Sequence, residues 1–165
     1  MGANKLMKID PKLAHNLENK IILITGSAGM LGSAFTEILE GINIRVFCFP
    51  HKELDVTDKS KVLSLSNLKP DIIIHCAANV DADFCEDNPE ICYLTQVMGT
   101  QNIIDLAKSC SSKIFYPQSF LIFDDRSEII TELTTPVPLS VYGRYKLEAE
   151  EILLKDSFGH LIVRM

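Results

Sequence analysis

Residues 20 to 32, Lys20-Ile-Ile-Leu-Ile-Thr25-Gly26-Ser-Ala-Gly29-Met-Leu-Gly32, constrain the fold of this chain more than any other stretch. An apolar run of strand length breaks into three glycines spaced three apart and continues into helix-forming sequence. That layout is a dinucleotide-binding turn. Gly26 lets the chain reverse tightly, Gly29 lets backbone N–H groups approach a pyrophosphate with no Cβ in the way, and Gly32 lets the following helix pack close to the strand. The phosphates then meet the helix N-terminus, where unpaired N–H groups and the macrodipole favour anions.

From Lys20 onward, apolar runs of strand length alternate with segments of helical period, the pattern of βα units in a parallel sheet covered on both faces. The expected class is α/β with a doubly wound parallel sheet. Strands are predicted near residues 20–25, 44–49, 71–77, 113–118 and 160–165, with a further edge strand at Glu53 to Val56. Helices are predicted near 30–40, 58–67, 89–110 and 139–156, where Asp58 and Pro89 suit starts and Gly41 a stop. Residues 124–138, polar with two prolines, predict a loop over the carboxyl edge of the sheet, where open α/β sheets bind ligands. Residues 1–19 read as a polar leader with a short helix around Pro11 to Glu18, and residues 20–165 as one nucleotide-binding domain.

Composition excludes some partners. A net charge of −6 with no long Lys/Arg run argues against a nucleic-acid or anionic-membrane surface, since both need a basic patch. No apolar run reaches membrane-spanning length. The five cysteines, Cys48, Cys76, Cys85, Cys92 and Cys110, never form Cys-x-x-Cys and sit mostly in apolar runs, so they read as buried free thiols of a cytoplasmic protein.

The chemistry concentrates near the end of the chain. Tyr142 and Lys146 are four residues apart on a predicted helix, which places them on one face within reach of a common ligand. A phenol is a poor proton donor or acceptor at neutral pH, and a nearby ammonium stabilises its phenolate. Such a pair can protonate a carbonyl while hydride arrives from a nicotinamide. Ser119 follows the predicted strand Lys113 to Gln118, so its hydroxyl is expected at the same edge, able to bond the substrate oxygen and the phenol.

With these motifs in place, the chain resembles the extended short-chain dehydrogenase/reductase family, through Thr25-Gly-Ser-Ala-Gly-Met-Leu-Gly32, His75-Cys-Ala-Ala78 and Tyr142-Gly-Arg-Tyr-Lys146. Within it, the chain is most similar to the dTDP-4-dehydrorhamnose reductase group. That closer likeness rests on Glu53-Leu-Asp-Val-Thr-Asp58, Pro70-Asp-Ile-Ile-Ile-His-Cys-Ala-Ala78, Phe123-Asp124 and Pro138-Leu-Ser-Val-Tyr-Gly-Arg-Tyr-Lys-Leu-Glu148. The resemblance implies a Rossmann fold with a cofactor cradle in which Gly26, Met30 and Leu31 lie near the pyrophosphate, Asp55 and Val56 near the adenine, and Ala77 and Ala78 along the nicotinamide half. It also implies Ser119, Tyr142 and Lys146 as the catalytic set, Lys146 holding the nicotinamide ribose as well. The implied substrate is the keto-sugar of a nucleotide-sugar, and a homodimer stays open. Family members continue for roughly as many residues again, so the resemblance implies a domain without the C-terminal substrate domain.

A carboxylate at the end of the second strand would hold the ribose hydroxyls and repel a 2′-phosphate, but this chain reads Phe47-Cys-Phe-Pro-His51-Lys52 there. The missing acid and the presence of Lys52 favour NADP, with NAD left open. Gln96 stands where the family usually has asparagine, and Gln118-Ser119-Phe120 where it has a run ending in aspartate, followed by Leu121 instead of tyrosine. Two classes therefore stay open: a reductase, or related epimerase or dehydratase, and a non-catalytic nucleotide-binding module like the regulatory subunit of methionine adenosyltransferase, which the sequence also resembles.

Overall fold

In the computed structural model, residues 10–124, 129–131, 133–156 and 159–165 are described. Five strands, β1 (Ile21–Thr25), β2 (Arg45–Phe49), β3 (Ile72–His75), β4 (Lys113–Gln118) and β5 (His160–Arg164), form one sheet in the order β2-β1-β3-β4-β5. All neighbours pair in parallel. The β-branched runs of β1 and β3 suit a strand buried on both faces. Strand order reverses between β1 and β3, so the crevice beyond their carboxyl ends is the binding position of such a sheet.

Alternation along the strands divides the core into two layers. Leu23, Ile73, Ile114 and Tyr116 face α3 (Lys59–Ser64), α6 (Gly99–Cys110) and α7 (Val141–Lys155). Ile22, Ile24 and Ile74 face the other way, against Phe35 and Leu39 of α2 (Met30–Glu40) and Leu17 of α1 (Pro11–Leu17). The leader helix thus packs on the sheet through an apolar side chain; it is started by Asp10, whose carboxylate accepts from the Lys12 and Leu13 N–H groups. Asp58 and Ser140 cap α3 and α7 in the same way, accepting from Lys61 N and Gly143 N.

Four expectations change. Glu53 to Val56 is not an edge strand: Asp55 Oδ1 accepts from Thr57 N (2.9 Å) and Thr57 Oγ1 (2.8 Å), a local turn that competes with extended backbone. The helix expected over 89–110 is three segments, α5 (Pro89–Tyr93), a π-helical turn at Leu94–Met98, and α6. A short helix not foreseen, α4 (Ala82–Asp87), precedes them, capped by Asp81. Within the loop expected over 124–138, positions 125–128 and 132 lie outside the described residues; 133–138 hold neither helix nor strand.

The fourth concerns cysteine. Cys85 and Cys92 form a disulfide joining α4 to α5, with Cα atoms 5.3 Å apart, while Cys48, Cys76 and Cys110 are free. The chain breaks at Asn88 and restarts at Pro89, folding two short helices back on one another, and this brings together positions too far apart to read as a motif. The free-thiol reading therefore fails for this pair. Denatured without reductant, the chain should titrate three thiols, and five after reduction; five without reductant would remove the bond.

Gly26 makes the sharpest demand on sequence. Its φ is +64°, and a Cβ there would lie 2.7 Å from Ala77 Cα. Gly26→Ala should cost about 3 kcal/mol from left-handed backbone and overpacking together. Gly41→Ala, where a Cβ would meet nothing closer than Ile38 O at 3.5 Å, is the control. Equal thermal midpoints for the two variants would overturn this account.

Candidate functional site

The carboxyl ends of β1 and β3 open into a cleft of about 310 Å³ whose walls include Gly26, Gly29, His51, Asp55, Cys76 and Ala77. Ala28, Val56, Ala78 and Thr95 complete it. The glycines build one corner: Gly29 N donates to Gly26 O at 3.0 Å and Gly29 stands at the N-cap of α2 with no side-chain cap. The first N–H groups of α2 are thus left for an external acceptor. A Cβ at Gly32 would sit 2.3 Å from Gly26 O, so this glycine lets the start of α2 press on the loop that ends β1. Met30 opens α2 at 92 % exposure, and neither it nor Leu31, Gly32 or Lys52 is among the cleft-wall residues. The cation expected at the end of β2 is replaced on the wall by His51, with Lys52 exposed beside it.

A buried polar chain supports the other wall. Thr100 Oγ1 donates to Gln96 O (2.6 Å), so its contact with His75 Nε2 (3.2 Å) requires the imidazole to donate there. His75 Nδ1 is then bare and accepts from Thr25 Oγ1 (2.8 Å), which in turn accepts from Ala77 N (3.3 Å). Burial, with the charge of Lys146 second, pushes the His75 pKa down to about 3, so the ring is neutral at any physiological pH. Gln96 Nε2 donates to Asn79 O at 2.6 Å, so the same chain holds both ends of the segment that carries Ala77 and Ala78.

The serine, tyrosine and lysine come together at the ends of β4 and α7. Ser119 follows β4; its Oγ accepts from Leu121 N (3.2 Å), and its side chain lies near enough to the Tyr142 phenol to favour the ionised form. Tyr142 is buried, which raises its pKa, and the Ser119 side chain is the opposing influence. The sequence reading assigned that lowering to Lys146. In the structure the ammonium is turned away: Lys146 Nζ donates to Pro117 O (2.9 Å) and lies 3.9 Å from the centre of the Tyr116 ring. Burial lowers the Lys146 pKa to about 7, against the raising influence of Cys76 and Glu150. Cys76 is on the cleft wall, its thiol pushed up to about 11 by burial, and its coupling to Lys146 ties the lysine to the cleft.

Residue roles missed from sequence are Thr25, Thr100, Glu150 and Arg164, with Gln118 noted only as a departure. Gln118 and Glu150 are buried in a network described below. A polar side chain closing the buried alternation of Lys113 to Gln118 was the available signal for Gln118; Thr100 offered none. Among the described residues no group of three or more acidic, histidine or cysteine side chains is arranged to hold a metal ion. None of their helices is long and apolar enough to cross a membrane.

Fold and cleft together define a doubly wound nucleotide-binding domain. The chain belongs to the family described as the RmlD substrate binding domain, whose profile matches residues 20–165. It is 33% identical over 146 residues to a dTDP-4-dehydrorhamnose reductase of Aggregatibacter actinomycetemcomitans, covering 87% of this chain and 50% of that protein. It is also 33% identical over 151 residues to methionine adenosyltransferase 2 subunit beta of Xenopus laevis, covering 87% of this chain and 45% of that one. A solved dTDP-4-dehydrorhamnose reductase from Bacillus anthracis str. Ames, in complex with NADP, superposes with a TM-score of 0.84 at 30% identity over 88% of this chain and 53% of that chain. The chain spans about half the length of the relatives it matches.

Burying an ammonium is costly, so Lys146→Met should stabilise the fold. The lysine is fully charged in both states below about pH 7, and the folded state bears the whole penalty there. Above pH 7 the folded chain releases a proton that the unfolded chain keeps until about 10.5, so the penalty fades as pH rises. The stability gap between variant and wild type should shrink from pH 7 to 10 in denaturant titrations; a constant gap contradicts the assignment.

Proposed function

We propose that this chain is the cofactor-binding part of an NADPH-dependent reductase of the short-chain dehydrogenase/reductase type, acting on the keto-sugar of a nucleotide-sugar. The observation that carries the reading is that Ser119 acts on the Tyr142 phenol one helical turn from Lys146, while Lys146 is coupled to Cys76 on the wall of the glycine-lined cleft. The cradle fits a dinucleotide: a Cβ at Gly26 would collide with Ala77, and the uncapped start of α2 offers N–H groups to a diphosphate. When bound, the reduced nicotinamide supplies hydride. Tyr142 would give its proton to the carbonyl oxygen, Ser119 would hold that oxygen, and Lys146 would hold the ribose and stabilise the phenolate left behind. Asp55 Oδ1 is bonded to Thr57, and the end of β2 carries His51 and Lys52 with no acid, which supports NADP over NAD.

Titration calorimetry should give tighter binding of NADPH than NADH by about tenfold or more, the worth of one charge-assisted contact to the 2′-phosphate. Tyr142→Phe should leave that affinity nearly unchanged and abolish reduction, because the phenol acts only in proton transfer. Equal or tighter NADH binding would sink the NADP assignment, and failure to bind either would sink the cradle. The likeness to methionine adenosyltransferase 2 subunit beta favours a second reading, a nucleotide-binding regulatory module. Binding without turnover of a dTDP-4-keto-6-deoxy sugar by any longer form that retains Tyr142 would select it.

A further inference from the structure

The Ser119 backbone and the α7 turn carrying Lys146 are joined by one buried carboxamide. Gln118 Oε1 accepts from Ser119 N (2.9 Å), while its Nε2 donates to Lys146 O (3.0 Å) and to Glu150 Oε2 (2.6 Å). Both donors and the acceptor are used, and a flipped amide would set donor against donor at Ser119 and acceptor against acceptor at Lys146 and Glu150. Glu150, only 2 % exposed, accepts from Arg164 Nη2 through its other oxygen at 2.5 Å, and the guanidinium lies 5.5 Å from the Phe123 ring centre. One carboxylate therefore ties β4, α7 and β5 together directly beneath the proposed catalytic set.

We infer that Glu150 and Gln118 are positioning residues for Ser119 and the α7 turn of Tyr142 and Lys146: Glu150 orients the Gln118 carboxamide, which fixes the serine to the lysine-bearing turn. The catalytic meaning rests on the reductase reading; the positioning itself does not. Glu150 sits four residues after Lys146, on the same helix face. The other titratable groups that touch or act on the ammonium are His75 at the end of β3, Cys76 just beyond it and Tyr116 from β4, with Tyr142 one turn earlier on α7. Cys76 stays a neutral thiol, His75 a neutral ring, and the two phenols are held protonated by burial, so Glu150 is the carboxylate among the groups that favour the charged lysine. Its proximity opposes the burial that brings the lysine to about 7.

The test uses the whole 165-residue chain with [13C]lysine and 15N labels and no cofactor, so that it is independent of nucleotide binding. Lys146 is assigned by Lys146→Arg. In Glu150→Gln its 13Cε titration midpoint should fall by about one pH unit, the size expected of a charge lost one helical turn away in a partly screened site. A merely structural role would lower the thermal midpoint and leave that titration where it was. In Gln118→Met, Ser119 amide exchange should quicken at least tenfold, on the order of one lost hydrogen bond. If neither variant folds, the wild type decides: Gln118 side-chain NH2 protons protected from exchange support the network, and exchange at the rate of an exposed amide overturns it. An unmoved lysine midpoint with unmoved Ser119 exchange overturns the proposal. NADPH titration of the same wild-type sample reports on the reductase reading separately.

Discussion

The close approach of Gly26 to Ala77 is the constraint on which the carboxyl edge of the sheet depends. Thr25 and His75 are the last paired residues of β1 and β3, and the two chains stay together past the ladder because Cys76 N still donates to Thr25 O (3.2 Å) and Ala77 N to Thr25 Oγ1 (3.3 Å). The backbone leaving β1 then turns with positive φ directly against the backbone leaving β3, at a distance that admits no side chain. Gly32 closes the same corner from above, because a Cβ there would enter Gly26 O. The cleft wall, the placement of α2 and the unpaired N–H groups at its start all follow from one tolerance of a few tenths of an ångström.

Behind that wall, rigidity comes from polar groups that apolar packing alone would not require. The chain Ala77–Thr25–His75–Thr100–Gln96 has one consistent set of proton positions, and it holds because His75 never charges in the working range. Satisfied buried networks of this kind fix a unique arrangement, and an unsatisfied member is costly. Among the described residues, Tyr116 Oη is the buried side-chain atom without a hydrogen bond, and its ring carries the Lys146 ammonium on one face. The tyrosine therefore serves the site through its π face while its hydroxyl gains nothing.

The sequence made the scaffold legible because glycine spacing and apolar runs are local signals. β1, α2 and β4 stand within a residue of their expected bounds, since each is fixed by its own composition. What stayed hidden depends on contacts between distant positions. The Cys85–Cys92 bond needs the break at Asn88, the turn at Asp55 needs a threonine two residues on, and the partners of Gln118 come from α7, twenty-eight and thirty-two residues away. Departures from the family pattern read as losses in sequence, yet Gln96 and Gln118 are both engaged through their amides. Their meaning lay in partners that no local window contains.

Lys146 connects the two halves of the site, and its environment explains why its charge is finely balanced. Against full hydration, burial favours the neutral amine; the Pro117 carbonyl, the Tyr116 ring and the Glu150 carboxylate favour the ammonium. The result is a lysine brought down to about 7, where changes in its surroundings shift its charge most readily. A lysine on the protein surface would be charged regardless of what bound beside it. Here the fold spends stability on keeping an amine at the edge of its charged range, and a hydrogen-bond acceptor placed beside it would draw it to full positive charge.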